Sequence, residues 1–124
     1  MLAGGFARRL LPLTENTPKP LLPVGGMPIL SYTIDRLRNL PGLGTVYMTT
    51  NRRFSVHFQD YIRAECADLR CELFIEDAES EGQKLGSVGA LHHIVRRTGL
   101  KGDCLVIGGD NLFDFPLPDL VAIH

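Results

Sequence analysis

The sequence predicts an α/β fold, a mostly parallel sheet with helices on both faces, and three observations predict it. Strand-like and helix-like segments alternate in the order β-loop-α-β-α-β-α-β-α. The strands are near-continuous apolar or β-branched runs, as burial on both faces requires. Glycine pairs follow two strand ends, at Gly4-Gly5 and Gly108-Gly109, where an α/β sheet binds its ligands.

The elements follow in order. Met1–Ala3 is a short strand ending at Gly4-Gly5. Residues 4–27 hold Pro12, Pro18, Pro20, Pro23 and Gly25-Gly26, too many breakers for regular structure. Pro28 suits a first helical turn, and Leu30, Ile34 and Leu37 form one apolar stripe, so a helix runs from there to just before Pro41. Thr45–Thr50 is β-branched and aromatic, hence a strand. Phe54, Phe58, Ile62 and Cys66 fall at helical spacing, and Cys71–Ile75 is a short strand. Ser87 is placed to cap a helix through Arg97, with Val88, Leu91 and Val95 on its apolar face and Gly99 beyond its end. Cys104–Ile107 is an apolar strand running into Gly108-Gly109-Asp110, and Pro118 opens a last helix. Right-handed crossovers between parallel strands bring three loops to one edge: the one after Ala3, the Glu76–Gly86 loop, and the one after Ile107.

Composition narrows the function. The chain has 124 residues, 44% apolar and 22% charged, which excludes disorder, collagen and coiled coil as whole-chain descriptions. No apolar run approaches the roughly 20 residues of a membrane span, and no signal peptide is expected at the start. A formal charge of −1 gives no reason to expect nucleic acid or an anionic membrane as partner. Cys66, Cys71 and Cys104 lack C-x-x-C spacing and read as reduced, mostly buried thiols of a cytoplasmic protein. The charge is unevenly spread: residues 1–53 carry seven basic and two acidic side chains, a local +5. Residues 60–81 carry eight acids against Arg63 and Arg70, a local −6. Most of these are solvated faces. Glu76, Asp77, Glu79 and Glu81 read as a solvated rim, because acids crowded against a polyphosphate would repel it. His92-His93 reads as packing and surface, since a zinc helix needs i, i+4 pairing.

The cations of the first twenty residues differ, sitting among Gly, Pro and Thr. Glycine backbone approaches an anion closely, while Arg and Lys are the usual phosphate ligands. On composition alone, a surface loop with solvated cations is the alternative reading. The loop is neither a P-loop nor G-x-G-x-x-G, because no Lys follows a second glycine at the right spacing and Ala7 and Leu10 stand where glycines would be needed.

A third pattern fits. Leu2-Ala3-Gly4-Gly5-Phe6-Ala7-Arg8-Arg9-Leu10-Leu11-Pro12-Leu13-Thr14, then Pro18-Lys19-Pro20-Leu21-Leu22-Pro23-Val24 and Pro28-Ile29-Leu30, resembles the signature of sugar-1-phosphate nucleotidyltransferases. Leu85-Gly86-Ser87-Val88-Gly89-Ala90-Leu91 resembles that family's L-G-T-A-G-A-L, and Gly109-Asp110-Asn111-Leu112-Phe113 its G-D-N-x-F. The resemblance implies a Rossmann-like three-layer sandwich of the nucleotide-diphospho-sugar transferase type, incomplete here. Residues 1–124 would be the N-terminal nucleotide-binding part of a single domain truncated at both ends.

The implied reaction joins an NTP and a sugar 1-phosphate into an NDP-sugar and pyrophosphate. Arg9 and Lys19 would be catalytic, and Leu2, Ala3, Gly4, Gly5, Arg9, Lys19, Gln83 and Gly86 nucleotide-binding. Asp110 would hold Mg²⁺, with a turn-capping Asp as the alternative. A solvated loop glutamine is an equal alternative for Gln83. Asp110-Asn111-Leu112-Phe113 leans toward glucose 1-phosphate with dTTP or UTP. A guanylyltransferase for mannose 1-phosphate or a molybdopterin-type cofactor, and a non-catalytic nucleotide-binding subunit, are the alternatives; a homo-oligomer is compatible with each. The chain departs from the signature where Ala7 replaces Gly and Arg8 replaces Thr or Ser. An alanine is expected to resist a positive φ there, and Arg8 either adds charge to the site or points into solvent.

Overall fold

The computed structural model describes residues 1–5, 7–77 and 85–123. Its regular elements are β1 (Pro23–Val24), β2 (Met27–Pro28), α1 (Ile29–Arg38), β3 (Val46–Asn51), α2 (Ser55–Glu65), β4 (Cys71–Glu76), α3 (Gly86–Thr98) and α4 (Leu117–Ala122). Strands β3 and β4 pair in parallel, in register from Val46 opposite Cys71 to Asn51 opposite Glu76. Leu2 bridges Thr49 of β3 on one side and Gly108 on the other, both in parallel. Its amide donates to the Ile107 carbonyl at 2.9 Å, and its carbonyl accepts from Gly109 at 2.9 Å. The order across the sheet is therefore 71–76, 46–51, the N-terminal stub, then 107–109. The chain steps outward from the stub twice and returns on its other side, which creates a switch point between Ala3 and Gly108, the place where such sheets leave a ligand crevice.

Alternation along the strands sorts the layers. Val46 and Met48 of β3 join Leu30, Ile34 and Leu37 of α1 and Phe54, Phe58 and Tyr61 in one buried cluster. The opposite face turns to α3: Phe74 of β4 packs edge-on against both Tyr47 and His93. His93 thus packs while His92 is exposed. The three-layer α/β arrangement is the one the alternation of elements predicts. Helix α1 buries the Leu30–Ile34–Leu37 stripe and ends before Pro41. Burial pushes the Tyr61 hydroxyl up to about 12, and that hydroxyl shares a 2.9 Å hydrogen bond with Ser31, tying α2 to α1.

Several expectations are corrected. Residues 104–107 form no strand; only 107–109 meet the stub, because three residues of Met1–Ala3 offer pairing groups no further. Leu105 and Val106 stay exposed along that edge. Ser87 does not cap α3, which begins a residue earlier behind Leu85 and has no side-chain cap. Its buried face is Ala90 and Ile94, with Val88 82% exposed, so the apolar stripe is rotated from the Val88–Leu91–Val95 reading. At its far end Gly99 adopts the left-handed cap conformation. Residues 4–27 carry more order than their breakers suggest: 3-10 turns at Arg8–Leu10 and Lys19–Leu21, and the small hairpin β1–β2 closed by Gly25-Gly26. Cys66 is buried and Cys71 half-buried, but Cys104 is exposed, lying outside the named strands and helices.

Candidate active site

A cleft of about 750 Å³ opens at the C-terminal edge of the sheet. Leu2, Ala3, Gly4, Gly5, Arg9, Lys19, Gly86 and Asp110 all line it, together with Ala7, Arg8, Thr49, Glu76 and Ser87. Residues from the start of the chain and from position 110 thus share one cavity. Gln83, Glu79 and Glu81 lie outside the described residues.

Lys19 is positioned by its neighbours. Pro18 and Pro20 on either side are buried, and the turn is closed by the Leu21 amide on the Pro18 carbonyl at 2.9 Å. Proline fixes φ on both sides, so the lysine stem leaves a stiff platform. Its Nζ donates to Asp110 Oδ2 at 2.8 Å across 91 residues of sequence. The two side chains are 35% and 41% exposed, so the pair is open to solvent and exchangeable. Asp110 stands just past the Gly108-Gly109 turn that the stub pins. Arg8 and Arg9 sit on a 3-10 turn that lines the same cleft, both exposed. Arg8 therefore does add its charge to the cleft.

The turn carrying these arginines rests on Ala7, which adopts φ 47° and ψ 43°. The expectation that alanine would resist a positive φ is thus corrected. The Ala7 carbonyl accepts from the Leu10 amide at 2.9 Å and from the hydroxyl of buried Thr14 at 2.9 Å, and these two bonds hold the residue left-handed. An L-residue there costs roughly 1–2 kcal/mol, part of which glycine loses through its freer unfolded chain. Ala7→Gly is expected to raise the denaturant midpoint by the equivalent of about 0.5–1 kcal/mol with an unchanged m-value. A lower midpoint would mean that the alanine methyl contributes packing that outweighs the strain.

Two polar residues, one behind the cleft and one in its wall, were not anticipated. Asn51, fully buried at the end of β3, donates from Nδ2 to the Gly4 carbonyl at 3.3 Å and accepts the Phe54 amide on Oδ1 at 3.1 Å. The signal for it is an Asn three residues before an amide that needs a cap. Glu76, expected on a solvated rim, is 6% exposed at the end of β4. Its Oε2 accepts the Leu85 amide at 3.3 Å, and a Cβ on Gly4 would meet Oε1 at 2.7 Å. A side chain at position 4 would therefore push the Glu76 carboxylate aside. Asp77, the next residue, is exposed and pairs with Arg52 at 2.7 Å, as a rim residue should. Gly86, with φ +70° and open space where a Cβ would point, exposes its backbone to the cleft.

Asp110 and Glu76 are the carboxylates of the described wall, and no group of three or more His, Cys, Asp or Glu among the described residues forms a metal cage. A solvent-reachable Asp beside cations that suit a polyphosphate fits Mg²⁺, which takes one or two carboxylates and completes its shell with phosphate oxygens and water. The same donor set lacks the nitrogen or sulfur ligands of a zinc site.

A parallel α/β sheet with a glycine-lined, cation-rimmed cleft at its switch point defines a nucleotide- or phosphate-binding protein. The model of the Nucleotidyl transferase family matches residues 1–124, and the chain belongs to that family. It is 35% identical over 124 residues to the bifunctional protein GlmU of Methanococcus aeolicus, covering 98% of this chain and 26% of that protein. It is 31% identical to a putative mannose-1-phosphate guanyltransferase of Sulfolobus acidocaldarius, covering all of this chain and 33% of that protein. Among solved structures, the CTP:phosphocholine cytidylyltransferase of Streptococcus pneumoniae superposes with a TM-score of 0.51 at 30% identity, over 61% of this chain and 31% of that one. The chain thus spans about a quarter to a third of the length of the curated relatives it matches. No helix among the described residues is long and apolar enough to cross a membrane.

Proposed function

We propose that residues 1–124 are the nucleotide-binding part of a sugar-1-phosphate nucleotidyltransferase domain. The observation that carries this reading is the Lys19–Asp110 contact at 2.8 Å within the cleft that Gly4, Gly5 and Arg9 also line. In the reaction a sugar-1-phosphate oxygen attacks the α-phosphorus of an NTP and pyrophosphate leaves. Such chemistry asks mainly for alignment and charge neutralisation. The Gly4-Gly5 backbone lets the nucleotide lie close to the sheet edge. Arg9 holds the β- and γ-phosphates and the charge that grows on pyrophosphate, with Arg8 strengthening the same field. The Lys19 ammonium leaves its solvent-exposed partner for the reacting phosphates. Mg²⁺ bound at Asp110 would supply further neutralisation of the phosphate charge. Gly86 backs the base.

The test is pyrophosphate release by the complete domain to which residues 1–124 belong, over a panel of NTPs paired with hexose 1-phosphates; the 124 residues alone are expected to turn nothing over. Release is expected for at least one pair, to stop with excess EDTA and to return with added Mg²⁺. Silence with every pair would favour a nucleotide-binding subunit without chemistry, and release that ignores EDTA would remove the metal role from Asp110.

A further inference from the structure

Glu76 is a buried carboxylate in the wall of a cleft whose other end is cationic. The sheet order sets the distance between the two ends. Glu76 ends the strand at one side and Asp110 follows the segment at the other, three strand spacings or roughly 14 Å apart. That span suits a nucleoside triphosphate laid along the sheet edge, phosphates at Lys19 and Arg9 and base at Gly4, Gly86 and Glu76. Leu85 occupies Oε2, and Oε1 faces the Gly4 backbone. An ionised carboxylate only accepts hydrogen bonds. Among the common bases, guanine alone offers two adjacent N–H donors on one edge, at N1 and N2. Uracil and thymine flank their single N–H with two carbonyl oxygens, which a carboxylate repels. Adenine and cytosine each set one donor beside a ring acceptor.

We propose that Glu76 is the specificity-determining residue of the cleft, its carboxylate accepting from N1–H and N2–H of a guanine ring laid over Gly4. The inference rests on the nucleotidyltransferase reading and narrows it, favouring a guanine nucleotide over dTTP or UTP.

The test is calorimetric titration of the protein, with Mg²⁺ present, by GTP, UTP, dTTP, CTP, ATP and inorganic triphosphate. GTP is expected to bind at least about tenfold more tightly than UTP or dTTP. Two ligands probe the contact without altering the protein: ITP lacks the N2 amine and 1-methyl-GTP lacks the N1 proton. Each is expected to bind about tenfold more weakly than GTP. Glu76→Gln can still accept the Leu85 amide, and is expected to narrow the gap between GTP and UTP while inorganic triphosphate binds as before. Equal binding of all bases, or of GTP, ITP and 1-methyl-GTP, overturns the assignment to Glu76 and leaves the nucleotide site standing. Binding of neither nucleotides nor inorganic triphosphate overturns both.

Discussion

Lys19→Ala in the complete domain is expected to lower the rate of pyrophosphate release by about 10²–10³, the loss associated with removing one preorganised donor from a developing oxyanion. The protein should stay folded. The Lys19–Asp110 pair is more than a third exposed on both sides, and such pairs contribute little to stability. The melting transition of the variant should therefore match the parent while kcat falls and the substrate KM changes far less. A lysine that merely anchored Asp110 would behave otherwise: Lys19→Ala would shift the melt, and Asp110→Asn would reproduce its effect on the fold. An unchanged rate would remove Lys19 from the chemistry. Lys19→Arg should recover only part of the rate, because the Pro18–Pro20 turn fixes the stem and a planar guanidinium cannot aim as an ammonium does.

That prediction joins two residues that local sequence patterning could not join. Periodicity finds α1, because Leu30, Ile34 and Leu37 recur on one face and the Pro-Gly after it stops the helix. It also finds β3, buried on both faces, and β4, which at the sheet edge leaves Glu72 and Ile75 exposed. The meeting of Lys19 with Asp110 follows from the order of strands, so it was legible only through the alternation of elements and the matched family pattern. Glu76 shows where counting charge misleads. In the sequence it belongs to an acidic run, yet it ends a strand while Asp77 begins the loop, and one residue of register separates a buried carboxylate from a solvated one. The face of α3 was misread for a related reason. Ser87, Val88 and Leu91 suggest a cap and a stripe, but the helix starts at Gly86, buries Ala90 and Ile94, and sets His93 against Phe74. A small helix face such as this carries too few large side chains for its direction to be read without its partner.

Phe58→Ala is expected to be the most damaging single change to the fold, costing about 3–5 kcal/mol. The ring is wholly buried in α2, in the cluster that also holds Leu30, Ile34, Met48 and Phe54. Removing it takes away transfer energy and leaves a cavity between two helices and the sheet, where neither helix can close in without disturbing the Ser31–Tyr61 bond. Small domains have total stabilities of about 5–15 kcal/mol, so the loss is a large part of the whole and should appear as a sharp fall in the urea midpoint. Its effect on the cleft discriminates between two pictures of the protein. Phe58 does not line the cleft, but β3 above it ends in Asn51, whose side chain holds Gly4. If the layers act as one cooperative unit, triphosphate affinity in the cold, where the variant is folded, should equal that of the parent and then disappear with the melt. If affinity is already reduced in the fully folded variant, the packing under β3 helps set the position of the Gly4 turn. A variant whose midpoint moves by less than about 1 kcal/mol would contradict the three-layer packing itself, since no ring sealed between helix and sheet can be deleted so cheaply.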